Sequence, residues 1–200
     1  MKNILIFGHS RAGKTSLAKR LKDVFGLNVI NEDLFITTFQ RAYPQLDING
    51  YDNYVQTAIN VTPFMAHYLC ICAEHATHKT GSPFVADMTF FHFDKGIPLM
   101  QSILSHMNGL TLPGAFTFIN LENTQTAEAL FADIRRYDTP EDWTYTLSDD
   151  ALRTHCHENV GTDPDFYEKW KDLGFLRYDV AQGRTHVFDT IVNDLKMIGR

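Results

Sequence analysis

Several large classes of protein are excluded by what this chain has little of. Its 200 residues contain three cysteines, Cys70, Cys72 and Cys156. An odd number cannot all pair, and Cys70 and Cys72 are too close in sequence for an ordinary disulfide, so a reducing compartment is expected. No apolar run approaches the roughly 18 residues of a membrane helix. The opening Met1-Lys2-Asn3 is followed by only four strongly apolar residues, Ile4 to Phe7, which is too few for a signal-peptide core. The expectation is a cytoplasmic protein with no membrane contact. Basic side chains are outnumbered, 18 against 24 acidic, for a formal net charge of −6. That sign argues against a general binder of nucleic acid or anionic lipid, while leaving room for a local basic groove. Repeats and low-complexity stretches are absent. What remains is an ordinary globular composition, 44% apolar, in a length that suits one domain, 1–200. A chain of this size buries about 70% of its unfolded surface, enough for a core without disulfides.

Short β-like runs alternate with amphipathic helical patterns, which favours an α/β fold with a parallel sheet. Ile4-Leu5-Ile6-Phe7 reads as a strand buried on both faces. A helix over about 14–25 places Leu17, Leu21, Val24 and Phe25 on one side and stops at Gly26. Residues 27–30 give a second strand, 83–87 a third ending in Asp87, 116–120 a fourth and 185–188 a fifth, with a closing helix from about Thr190. The helical segment 52–79 contains Thr62-Pro63, an N-cap followed by Pro at a first helical position, so two helices are expected there. Further helices are expected over 97–107, after a cap at Asn123 or Thr124, and from Asp163-Pro164 to Gly174. Segment 137–162 has neither period, and a loop that long in a compact domain is usually functional or disordered.

Gly8-His9-Ser10-Arg11-Ala12-Gly13-Lys14-Thr15 matches the phosphate-loop pattern G-x-x-x-x-G-K-[ST] in full. At this composition roughly 0.004 accidental matches are expected. Its context also fits, with a buried strand leading in and an amphipathic helix leading out. Glycine lets the backbone curl with its N–H groups inward, and the helix N-terminus adds positive potential. Residues Gly8 to Ser16 are therefore the candidate nucleotide-binding segment. Lys14 can reach the β- and γ-phosphates, and Thr15 can ligate the Mg²⁺ that accompanies ATP.

The order of phosphate loop, second strand ending near an acid, helical segment, third strand ending in an acid, fourth strand, helix with Arg-Arg, irregular insertion and fifth strand resembles the small P-loop kinases. These include nucleoside, nucleotide, shikimate and gluconate kinases and the kinase domain of polynucleotide kinases. The resemblance implies a three-layer α/β/α sandwich with a five-stranded parallel sheet in the order 2-3-1-4-5. It also implies an acceptor-binding helical segment at about 34–80, a lid-like insertion at about 137–165 and an ATP-dependent kinase activity. In Asn31-Glu32-Asp33 the resemblance implies that Asp33 faces the acceptor hydroxyl as base or orienting group; capping of the next helix is the competing role. Asp87 would hold Mg²⁺ through water. Arg135 and Arg136 would neutralise charge on the transferring group, against the alternative of a basic pair placed favourably at a helix C-terminus.

Two features depart from the pattern. Segment 137–165 holds eight acids and one basic residue, Arg153, which disfavours a polyanionic acceptor. Met88-Thr89-Phe90-Phe91 stands where shikimate kinases carry a glycine-rich stretch, which argues against shikimate. Phe35, Phe39, Arg41 and Tyr43 follow the second strand, and Phe90, Phe91, His92 and Phe93 the third. Phe35 and Phe90 are candidate stacking residues for a ring-bearing small molecule, and Arg41 for an acceptor carboxylate or phosphate, with core packing and surface solvation as the competing roles. His67, Cys70, Cys72, His75 and His78 do not meet the recognised zinc spacings. The expectation is a small-molecule kinase. The alternatives are a nucleotide or polynucleotide 5′-kinase and, in another class, a regulatory nucleotide-binding module acting on a partner protein.

Overall fold

The computed structural model of the chain describes residues 2–46, 54–76, 82–88, 116–161, 168 and 174–199. At its centre lies β1 (Asn3–Gly8), buried along its whole length. Side chains alternate across a strand, so Leu5 and Phe7 join one core and Ile4 and Ile6 the other. A strand apolar on both faces needs a helical layer on each. On one side are α1 (Lys14–Phe25) and α6 (Arg184–Ile198), contributing Leu17, Leu21, Phe188 and Ile191. On the other are α2 (Glu32–Ala42) and α3 (Tyr54–His75), contributing Ile36, Met65, Leu69 and Ala73. A third cluster joins α4 (Ala127–Tyr137) to α5 (Asp149–Glu158) through Leu130, Ile134, Leu152 and Cys156.

The remaining strands among the described residues are β2 (Asn28–Asn31), β3 (Phe84–Asp87), β4 (Phe116–Glu122) and β5 (Leu176–Asp179). All pairings are parallel, in the order β2-β3-β1-β4-β5, which is the expected sandwich. The register sets Ile6 beside Asp87, and Asp87 beside Asn31. The phosphate loop, Asp87 and Asn31-Glu32-Asp33 therefore leave the sheet along one edge, at the carboxyl ends of neighbouring strands.

Four local expectations are corrected. The fifth strand is Leu176–Asp179, not 185–188, which belongs to α6. Val187, Phe188, Ile191, Val192 and Leu195 follow a helical spacing and are all buried, whereas β5 is only partly covered and its Arg177 pairs with Glu122 at 2.7 Å. Second, α3 runs unbroken through Pro63. An interior proline costs about 3 kcal/mol, and here Val61, on one side, and Met65, Ala66, Leu69, Cys70 and Ala73, on the other, all enter the same core, which offsets that loss. Third, the segment expected to be irregular, 137–162, is ordered over its described residues 137–161: it contains a 3₁₀ turn, Trp143–Thr146, and then α5. The hydroxyl of Ser148 accepts from the Ala151 N–H at 3.2 Å and caps α5. Within α5 only Leu152 and Cys156 are buried, too few apolar positions to show a period. Fourth, α4 is capped by Thr126, whose Oγ1 accepts from Ala129 N–H at 3.2 Å, while Thr124 N–H donates to Asp179 at 3.1 Å. The helices expected over 97–107 and 163–174 lie outside the described residues, apart from the helical Glu168 and from Gly174. Cys70, Cys72 and Cys156 are free thiols, two of them buried.

Candidate active site

The loop between β1 and α1 has the backbone its sequence demands. Gly8 sits at φ 148°, and the neighbouring strand is so close that an added Cβ would lie 2.6 Å from the Leu121 oxygen. Gly13, at φ 92°, occupies the N-cap of α1 without a side-chain cap. Ala12 N–H donates to His9 O at 3.2 Å and closes the turn. The first amides of α1 have no intrahelical acceptor, and together with the helix dipole they suit a phosphate group.

Lys14 is buried at the centre of this loop, and its Nζ donates to Gly8 O at 2.8 Å and His9 O at 2.9 Å. Burial pushes its pKa down from 10.5 to about 8, and the negative charges of Asp87, Glu32 and Asp33 oppose that fall. Thr15, in the first turn of α1, donates its hydroxyl to Asp87 Oδ2 at 2.6 Å. Asp87 itself is buried at the end of β3. Hard oxygen donors in this pairing fit Mg²⁺, which typically takes one or two protein oxygens and draws the rest of its shell from water and phosphates. Among the described residues no larger cluster of His, Cys, Asp or Glu is placed to hold a metal by itself.

At the end of β2, Asn31 takes the capping role at α2: its Oδ1 accepts from Leu34 N–H at 3.0 Å. Capping therefore does not account for Glu32 or Asp33. Desolvation and then the charge of Asp87 raise the Asp33 carboxyl above its ordinary range, with Lys14 acting in the opposite sense. Glu32 is buried one residue earlier and its charge also reaches Lys14. The sequence does not single it out, because an acid beside another acid gives no sign of which one turns inward.

The other predicted residues are placed less centrally. Phe35 lies within a run of tilted rings, 4.7 Å from Phe39 and 5.3 Å from Tyr68 between centroids, at the junction of α2 and α3. Arg41 is exposed in the last turn of α2, about 12 Å along the helix axis from Asp33. Phe90 lies outside the described residues. Arg135 is engaged in its own neighbourhood: it donates to Asp149 at 2.8 Å and Leu147 O at 2.7 Å and lies over the Phe131 ring. Arg136 is exposed and lies over Tyr137. Two residues that the sequence does not single out bind the backbone of the phosphate loop. Arg184 Nη2 donates to Arg11 O at 2.8 Å, and Asn159 Oδ1 accepts from Ser10 N–H at 3.2 Å. Reading 185–188 as a strand hides Arg184, and the lack of period before Asn159 hides that residue.

No protein-family model and no curated protein matches the sequence. Solved structures do match its fold. A gluconokinase from Sinorhizobium meliloti superposes with TM-score 0.53 at 14% identity, over 100% of this chain and 98% of that one. A shikimate kinase from Bacteroides thetaiotaomicron gives 0.56 at 16% identity, over 98% and 97%. The fold is that of the small P-loop kinases. A deoxyadenosine kinase from M. mycoides, solved with dATP bound, shares it as well, with TM-score 0.52 at 15% identity over 97% and 99%. Within this P-loop kinase fold, Lys14, the Thr15–Asp87 pair and Asp33 stand at the carboxyl ends of β1, β3 and β2, where open α/β sheets bind their ligands.

Proposed function

We propose that the chain is an ATP-dependent phosphotransferase acting on a hydroxyl group of a small, ring-bearing molecule. One observation carries this reading: a phosphate loop with its buried lysine, an oxygen pair suited to Mg²⁺ and a carboxylate with a raised pKa converge from three adjacent strands. The loop amides and Lys14 bind the polyphosphate and offset its charge. Thr15 and Asp87 would hold Mg²⁺, whose charge neutralises phosphate oxygens. Asp33 accepts the proton of the acceptor hydroxyl, and its raised pKa brings its basicity closer to what that transfer requires. Arg136 or Arg135 would steady the transferring group only after leaving the contacts each makes here. The rings of Phe35 and Phe39, within two turns of Asp33 on α2, and of Tyr68, packed against Phe35 from α3, support an acceptor with a flat apolar face.

The test is ADP release from MgATP against a panel of nucleosides, sugars and ring-bearing metabolites. Acceptor-dependent release is expected. In Lys14→Ala it should fall by on the order of a hundredfold or more, about 3 kcal/mol in the barrier. Asp33→Asn should lower kcat while the protein still binds MgATP. Wild-type turnover in a folded Lys14→Ala protein would overturn the reading.

A further inference from the structure

Arg11 is the one residue other than glycine, among those described, with a positive φ, 63°. This left-handed conformation is unfavourable for a residue with a side chain and costs glycine almost nothing. Glycine would serve the loop backbone better, so the arginine is to be explained by its side chain. The guanidinium leaves the loop and reaches the segment after α4. Nη1 donates to Asp142 Oδ1 at 2.9 Å, and Nη2 donates to the Asp138 carboxylate and the Thr144 hydroxyl. The Asp138 side chain is 4% exposed and that of Arg11 23%, so this pairing is largely withdrawn from water, unlike a surface bridge. Thr139, through its N–H and hydroxyl, and then Arg11 hold the Asp142 carboxyl below its ordinary range. A second tie lies beside it. Ser10 N–H donates to Asn159, which is buried and anchored by its own Nδ2 on His155 O at 2.8 Å.

We infer that Arg11 is a positioning residue that docks segment 138–159 onto the phosphate loop and cancels two of its carboxylates, making an acid-rich insertion compatible with a polyphosphate beside it. The inference rests on the phosphotransferase reading only for the identity of the ligand. The docking itself follows from the contacts. Asp138 and Asp142 lie within one side chain's reach of the loop, and without Arg11 both would stand there uncompensated and repel an incoming polyanion.

Hydrogen exchange and MgATP titration of the full chain test the two halves separately. Arg11→Gly suits the backbone, so the sheet should stay protected while amides of 149–158 exchange at least tenfold faster. MgATP affinity should fall at least tenfold. In an Asp138→Asn, Asp142→Asn background, the same Arg11→Gly change should cost less than threefold, because the carboxylates it compensates are gone. Arg11→Lys, which keeps the charge without the fork, should recover part of the loss. Unchanged exchange in Arg11→Gly, or an equal loss of affinity in both backgrounds, overturns the inference. A wild-type protein that binds no MgATP, yet whose insertion is freed by Arg11→Gly, would instead overturn the phosphotransferase reading and leave the docking standing.

Discussion

Lys14 shows how one side chain reconciles burial with charge. Its ammonium has given up water for two loop carbonyls and lies near three carboxylates, and the balance leaves its pKa at about 8. A polyanion binds the protonated form, so MgATP affinity should be level below pH 8 and fall as pH rises through that value, by at most about tenfold per unit. Calorimetry between pH 7 and 9.5 checks the profile. Lys14→Arg, whose side chain stays charged across this range, should flatten it even if affinity drops overall. A wild-type profile level to pH 9.5 would contradict the assignment of Lys14 as the loop's phosphate partner. The same site makes Asp33 dependent on Lys14: the lysine's charge is what limits the rise of the carboxyl. Replacing Lys14 by an uncharged residue should therefore shift the acidic limb of any residual turnover upward in pH, on top of the loss in rate.

Among the helices, α5 is held by few buried side chains. It is a ten-residue helix, too short to persist alone in water, and only Leu152 and Cys156 are buried, packed on Leu130 and Ile134 of α4. Leu152→Ala should cost about 2–5 kcal/mol at that contact. The loss should appear as local opening, with exchange protection lost over 149–158 and kept in β1 and β4. Asn159, which follows α5 and binds Ser10, carries the effect to the phosphate loop, so MgATP affinity should fall although Leu152 is not part of the loop. These elements also show where sequence reading succeeds. The strand, loop and helix from Asn3 to Phe25 are legible because their signals are local: a run buried on both faces, a glycine pattern, a 3.6-residue period and a terminal glycine. Segment 137–162 is not, because α5 buries only two apolar positions and depends on Arg11 and Asn159 contacts spanning more than a hundred residues of sequence. Nor is α6, whose Thr185 to Phe188 start reads as strand until Ile191, Val192 and Leu195 are counted with it. Asp33 and Asp87 are legible from their order along the chain; the burial of Glu32 is set by the fold.

For the whole molecule, the acidity of −6 has a structure. Part of it lies in segment 138–158, where Arg11 and Arg135 take up Asp138, Asp142 and Asp149, and part lies at the candidate site as Glu32, Asp33 and Asp87. On the proposed function, the site should therefore favour a polyphosphate that brings its own divalent cation over one that arrives bare. Ligand-linked stability reads this directly. At a hundred times its dissociation constant, MgATP should stabilise the native state by about 2.7 kcal/mol. For a domain of this size that corresponds to a rise in Tm of roughly 5–10 °C. ATP with a chelator should give a clearly smaller rise at the same concentration, because three carboxylates then face the phosphates without a cation between them. Asp87→Asn should narrow the gap between the two conditions from both sides: it removes a metal ligand, weakening MgATP, and removes a repelling charge, strengthening bare ATP. Equal thermal shifts with and without Mg²⁺ in the wild-type protein would mean that Thr15 and Asp87 do not form a metal site. A gap that survives Asp87→Asn unchanged would move the metal to the other carboxylates of the same edge, Glu32 and Asp33.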